Sequence, residues 1–299
     1  METLTKENLG LEERIDGINV ALRAIDAGFS VTYKEVAKNN CIREALVMQN
    51  PEFNVLPTVY PDQDMMDRDD AEIAEMLRRT FMAHARNMDM SMISSESYIR
   101  KNVFPRLVNG KNIATFKKDG IPFIPYLDLA ICFTIRVPEF NNGGDRASVK
   151  VTNELLKASG LTLSEIKDAA LQNMKNEGYV IKDMLEMISE MTGIVEDDLN
   201  PEGQNIPMII LTNPDKFYGG TSILCADSLR EIEKRIGDSS FVLLPSSVHE
   251  FIATRMGSEE VLETYKTMVS EVNSSTVSVE DYLSDSIYVY SKGKISVMK

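Results

Sequence analysis

Residues 129–153 read LAICFTIRVPEFNNGGDRASVKVTN, and their spacing decides the fold class. Ile131, Phe133, Ile135 and Val137 alternate with Cys132, Thr134 and Arg136, the period of a strand whose successive side chains face opposite sides. After Asn141-Asn142-Gly143-Gly144-Asp145 the same period returns in Ala147, Val149 and Val151. A glycine-rich stretch alone would read as a linker, but periodic strands on both sides make it a hairpin tip. No domain boundary is drawn there.

Outward from this hairpin, Leu11, Ile15, Ile18, Leu22 and Ile25 form one helical stripe ending near Gly28. Phe29, Val31 and Tyr33 alternate as a strand, which Asn39-Asn40 turns into CIREALVM, residues 41–48. Residues 62–88 begin with crowded acids, as a helix N-terminus prefers, and place Ile73, Leu77, Thr80, His84 and Met88 on one side. Pro105 marks KNVFPRLVN, residues 101–109, as an edge-type strand. Thr162 and Glu165 form a capping box opening a helix through Met174. Residues 179–193 read as a further helix, with Ile181, Met184, Leu185, Ile188 and Met191 on one face and Gly193 as its stop. PMIILTN, residues 207–213, reads as a buried strand. Residues 219–237 read as a strand running into a helix that starts at Asp227 or Ser228 and ends at Gly237. Residues 239–256 read as strand, bend and strand, followed by a helix from Ser258 to about Val272 and a hairpin around Lys292-Gly293. Strands and helices mix without βαβ regularity. The expected class is α+β, a largely antiparallel mixed sheet with several packed amphipathic helices. The expected organisation is a single domain over 1–299, or two lobes of about 1–137 and 147–299 sharing the sheet.

Composition narrows the chemistry. The 299 residues are 43% hydrophobic, enough for a sizeable core. The opening METLTKENLGLEERID has no basic region leading into an apolar one, and no stretch approaches the roughly 18 apolar residues of a membrane helix. A cytoplasmic protein without membrane contact is expected. Cys41, Cys132 and Cys225 form no CxxC pair, which argues against a zinc cluster or a disulfide framework. With two histidines in the chain, a histidine-rich metal site is excluded by inventory. The acidic run Asp62 to Glu75 lacks the spacing of a calcium loop and reads as a solvated helix start. No metal and no cofactor are expected. The net charge of −14 argues against direct nucleic-acid binding, which needs clustered Lys and Arg.

Four features could carry chemistry. Cys225 precedes a helix and could be activated with His249 as base, against the bland reading of a structural cysteine. Ser246 or Ser247 could join His249, but no GxSxG elbow surrounds them. In TNPDKFYGGTS, residues 212–222, the amides of Gly219 and Gly220 with Lys216 nearby could meet a phosphate. The stretch matches neither GxxxxGK[ST] nor GxGxxG, and a tight loop is the alternative. The 17 methionines could line an adaptable groove, though most lie on helical core stripes. The candidate catalytic residues are therefore His249, Glu250, Ser247 and Cys225, and the candidate ligand-binding residues Asn213, Lys216, Gly219 and Gly220.

The segments VTYKEVAKNN, PTVYPDQ, IPYLDLAICF, VTNELLKASGLTLSEIKDAALQN, IILTNPDKFYGG and FVLLPSSVHEFIA occur in this order over nearly the whole chain. In that order they resemble the uncharacterised bacterial domain-of-unknown-function family 5688 of anaerobic Gram-positive gut bacteria. They are more loosely similar to the YtpQ-like uncharacterised proteins. The positions that carry the resemblance are Asn39, Asn40, Asp128, Asn213, Pro245 to Glu250, Asn273 and Ser284-Asp285. Several are turn and cap types, suited to holding bends. The resemblance implies no activity. The leading expectation is a non-catalytic protein that binds a macromolecule or small ligand, in mobile-element or defence biology. A hydrolase or transferase centred on His249, and an acidic inhibitor that mimics nucleic acid, are the alternatives.

Overall fold

The computed structural model describes residues 5–6, 9–138, 147–194 and 207–298. The expected hairpin tip at Asn141 to Asp145 and the side chain of Met191 lie outside the described residues. The chain divides into two compact units, Met1–Ile93 and Ser94–Lys299. The division thus precedes the 137/147 lobe boundary by more than an element, because the strands on either side of that boundary pair with each other. The described strands form three sheets, not one shared sheet. Among the described residues all strand pairings but one are antiparallel, so the α+β class with packed helices holds.

The first unit contains β1 (Thr5–Lys6), α1 (Leu11–Ala24), β2 (Ser30–Ala37), β3 (Cys41–Gln49), β4 (Thr58–Val59), α2 (Gln63–Met66), α3 (Asp70–His84) and α4 (Met90–Ile93). β2 and β3 form the expected hairpin, turned at Asn40 with φ 62°. Leu11, Ile18 and Leu22 of α1 pack with Ile73, Leu77 and Phe81 of α3 over Val31, Leu46 and Met48. The buried face of α3 is therefore Ile73, Ala74, Leu77 and Phe81. Thr80 and His84 are only half-buried, because a spacing of four from Ile73 leads through Leu77 to Phe81, and the helix ends before Met88, where Ala85 turns extended and Arg86 bridges to Val55. Gly10 begins α1 without a side chain to cap it. The buried Glu44 on β3 serves instead: its Oε2 accepts from the amides of Leu9 (3.0 Å) and Leu11 (3.3 Å). The acidic run is spent on helix starts. Asp62 accepts from the Met65 amide and Asp69 from the Glu72 amide, each at 2.8 Å, and Asp70 pairs with Arg14.

The second unit begins with α5 (Glu96–Asn102), β5 (Val103–Asn109), α6 (Ile113–Lys118), β6 (Ile124–Tyr126), β7 (Leu129–Arg136) and β8 (Ser148–Lys150). β7 is central: β5 lines one edge, while β6 and β8 share the other at opposite ends. The opening stretch is thus two antiparallel strands, with Thr134 opposite Lys150. β7 is buried on both faces, more completely than its alternation implied. Next come α7 (Asn153–Ser159) and α8 (Leu163–Glu177), the latter opened by the expected Thr162/Glu165 box. The remaining elements are β9 (Val180–Asp183), α9 (Met184–Thr192), β10 (Ile209–Thr212), α10 (Ala226–Ile236), β11 (Ser240–Ser247), β12 (Glu250–Arg255), α11 (Glu259–Ser275), β13 (Tyr288–Ser291) and β14 (Lys294–Val297). They build an antiparallel sheet of order β14-β13-β11-β12-β10-β9.

Two expectations are corrected here. Residues 180–183 are a strand because β10 pairs with them, and residues 219–224 are a 3-10 turn, not a strand. The two sheets of this unit are tied through Asp128, between β6 and β7. Its carboxylate accepts from Ser284 Oγ at 2.7 Å and from the Tyr288 hydroxyl at 2.8 Å. Asn109 donates to the Leu283 carbonyl at 2.7 Å, and Asn273 to Ser284 and Asp285 at 3.0 and 2.8 Å. Burial pushes the Tyr288 phenol far above its ordinary value. No described helix is long and apolar enough to cross a membrane.

Candidate functional site

β10 ends at Thr212, and the loop that follows is held from both sides. Buried Asn213 accepts from the Phe217 amide (3.1 Å) and donates to the Phe217 carbonyl (3.0 Å), closing residues 213–217 into a ring. Lys216 and Tyr218 take left-handed conformations, both at φ 53°, to make that turn. Gly219 and Gly220 then pass against the backbone of the β11–β12 turn. A β-carbon on Gly219 would lie 2.5 Å from the Asn213 nitrogen and 2.6 Å from the His249 carbonyl oxygen, and closer still to Thr212 Oγ1. The Gly220 amide donates to the Val248 carbonyl at 3.1 Å. These glycines serve close backbone approach, and the Gly220 amide is committed inside the protein instead of facing a ligand.

His249 lies on the other side of this contact. Its Nδ1 accepts from the Tyr218 amide at 3.0 Å, so Nδ1 carries no proton and the neutral ring holds its hydrogen on Nε2. Nε2 in turn meets Asp281 Oδ1 at 3.1 Å. The ring stacks on Phe217, with centroids 5.4 Å apart. Both nitrogens are thus occupied, and neither bonds a serine or cysteine side chain. The Ser247 hydroxyl accepts from the His249 backbone amide at 3.0 Å, and Glu250 accepts from Ser246 at 3.2 Å. Cys225 is the residue before α10, where Ser228 Oγ donates to its carbonyl at 2.8 Å. The structure therefore brings His249, Ser247 and Glu250 into one bend, but does not arrange them, or Cys225, as nucleophile and base. Lys216 is exposed on the loop.

The loop's other face borders an open cleft of about 380 Å³ over the β5–β7–β8 face. Register puts Phe104, Arg106, Thr134, Arg136 and Ser148 on that face, since Phe104 pairs with Thr134, Arg106 with Cys132 and Arg136 with Ser148. At the face's far end Val108, Ala130 and Cys132 pack with Phe116 and Ile121. Arg106 donates from Nε to Thr134 Oγ1 at 3.1 Å and from Nη2 to Ser148 Oγ at 2.9 Å. Its guanidinium lies 3.8 Å from the Tyr218 ring centroid. All its partners are neutral, and among the described residues no carboxylate pairs with it. Arg136, by contrast, forms a two-pronged ion pair with Glu177, lies 3.8 Å from Asp215, and covers the Phe104 ring at 3.6 Å. Phe217, 37% exposed, lines the cleft as an apolar wall. Burial raises the Tyr218 phenol, while the charge of Arg106 pulls it down.

This cleft was not reached from the sequence. The signal was present as one arginine inside each of two apolar strands, VFPRLV and CFTIRVP, a costly placement without a partner. Among the described residues no group of three or more His, Cys, Asp or Glu is placed to hold a metal ion. No curated protein and no solved structure matches the chain. A family profile does match, over residues 16–292, and the chain belongs to that family of unknown function, DUF5688.

Proposed function

We propose that the protein is a non-catalytic binding protein whose ligand is a small molecule held in the cleft beside Arg106. The observation that carries this reading is the half-buried Arg106 guanidinium, oriented by Thr134, Ser148 and Tyr218 with no carboxylate paired to it among the described residues. Holding a cation partly out of water costs free energy, and a ligand anion would offset that cost. The volume falls at the lower end of the roughly 300–1,000 Å³ of small-molecule sites. Occupation of both His249 nitrogens favours binding over turnover. A cytoplasmic setting without nucleic-acid contact belongs to the same reading, supported by the −14 net charge.

The test is native mass spectrometry of the full chain purified from its own cells, beside Arg106→Gln. A stoichiometric small molecule on the wild type, absent from the variant and unchanged on incubation, is expected. Consumption of that molecule, abolished in His249→Ala, would overturn the reading.

A further inference from the structure

The chemical class of the ligand can be argued from the cleft, and this step rests on the binding reading above. We propose that the site takes a small organic oxyanion bearing a planar ring, with its carboxylate or phosphate on Arg106 and its ring on Phe217.

Arg106 uses two of its five donors on Thr134 and Ser148, and both hydrogens of Nη1 have no partner among the described residues, so they can meet an oxyanion. Its plane is already fixed against Tyr218, so an oxyanion meets a rigid donor pair at little cost in side-chain entropy. The other cleft arginine is not free in this sense. Arg136 is matched by Glu177, with Asp215 beyond it on the wall. Among the described residues lining the cleft and the pocket beside it, Lys101, Arg106 and Arg136 stand against Glu177 and Asp215, an excess of one positive charge. That suits a single oxyanion group and disfavours a polyphosphate, which the −14 chain also repels at range.

The ring follows from Phe217. It is exposed to the cleft yet held from behind by His249, with rings 30° from parallel, and its backbone is closed by Asn213. An exposed aromatic held on a rigid loop is a stacking surface.

The experiment uses ligand-observed saturation-transfer NMR and calorimetry on the full chain. Phenyl phosphate and benzoate serve as ring-bearing anions, inorganic phosphate as an anion without a ring, benzamide as a ring without charge, and tripolyphosphate as a polyanion. Phenyl phosphate and benzoate should compete for one site, and the stronger identifies phosphate or carboxylate as the natural group. Phosphate and benzamide should each bind at least about 10-fold more weakly, since each lacks one of the two contacts. Arg106→Gln should weaken ring-anion binding about 10- to 100-fold. Phe217→Ala should bring phenyl phosphate down to the level of inorganic phosphate. Should Arg106→Gln not fold, Ser148→Ala, which frees the guanidinium without removing it, should weaken binding by a smaller factor. Benzamide binding as tightly as benzoate, or tripolyphosphate tighter than phenyl phosphate, would overturn the ligand class while leaving the cleft a binding site. Failure of every probe and of any co-purified molecule to reach the cleft would sink both proposals.

Discussion

Gly219→Ala is the sharpest probe of how the loop after β10 is built. The added methyl would meet the Asn213 nitrogen at 2.5 Å and the His249 carbonyl oxygen at 2.6 Å, and Thr212 Oγ1 more closely still. Two of these are backbone atoms in buried, hydrogen-bonded segments, so they cannot swing aside as a flexible side chain could. Overpacking costs about 1–3 kcal/mol, and three simultaneous obstructions place this case near 3 kcal/mol. For a unit of this size that is a drop of about 6–12 °C in melting temperature. Gly237→Ala is the comparison. It ends α10 at φ 77° with nothing near its Cβ position, so it should cost only the left-handed penalty of about 1–2 kcal/mol. Adding Thr212→Ala to Gly219→Ala removes one obstruction of three and should recover less than half the loss. Urea denaturation followed by circular dichroism measures all four proteins. If Gly219→Ala costs no more than Gly237→Ala, the close-approach account is refuted, and a loop open to ligand becomes the better description.

His249→Ala leaves the Tyr218 amide and Asp281 without their partner and should cost about 1–3 kcal/mol. Hydrogen exchange at the Tyr218 amide should quicken, and Cys225→Ser should alter neither quantity; unchanged exchange in His249→Ala would contradict the anchoring role. Glu44→Ala removes the acceptor for the Leu9 and Leu11 amides and should cost about 1–2 kcal/mol, with exchange rising first at the start of α1. The bonds from the Thr162 amide and hydroxyl, with Arg100 beside them, hold the Glu165 carboxyl down at about 2 against an ordinary 4.5. A depressed folded value means that its stabilisation is complete above about 4.5 and is lost as pH falls toward 2. Carbon-detected titration should give a midpoint near 2, Glu165→Gln should abolish the accompanying fraying of α8, and an ordinary midpoint would exclude the capping box in solution.

What could be read in advance was local. The Thr162/Glu165 box, the Asn40 turn and the Lys292-Gly293 hairpin each depend on residues within a few positions, and each stands where the pattern put it. Residues 180–183 misled because Ile181, Met184, Leu185 and Ile188 fit a helical face, while partnership with β10 makes the first of them a strand. Gly219-Gly220 left a tight loop and a phosphate contact both open, because sequence gives two glycines but not the backbone that crosses them. Asn213 closes its own loop onto Phe217, and within Pro245 to Glu250 the bonds run from Ser246 to Glu250 and from the His249 amide to Ser247, so these polar groups hold their own turns. The arginine cleft draws on β5, β7, β8 and the loop at Phe217, a set no single motif spans.

The Asp128 clamp bears on how the second unit comes into being. Its partners Ser284 and Tyr288 lie 156 and 160 positions downstream. Closing a chain loop of that length costs about 4–5 kcal/mol of entropy, to be recovered only when the last strands arrive. At about 5–20 residues per second, a ribosome needs about 8–30 s to pass from Asp128 to Tyr288. For that interval Asp128 has neither Ser284 nor Tyr288 to accept from, so the tie between the two sheets of this unit forms only after the intervening strands have been made, and a chaperone has its opportunity between the two events.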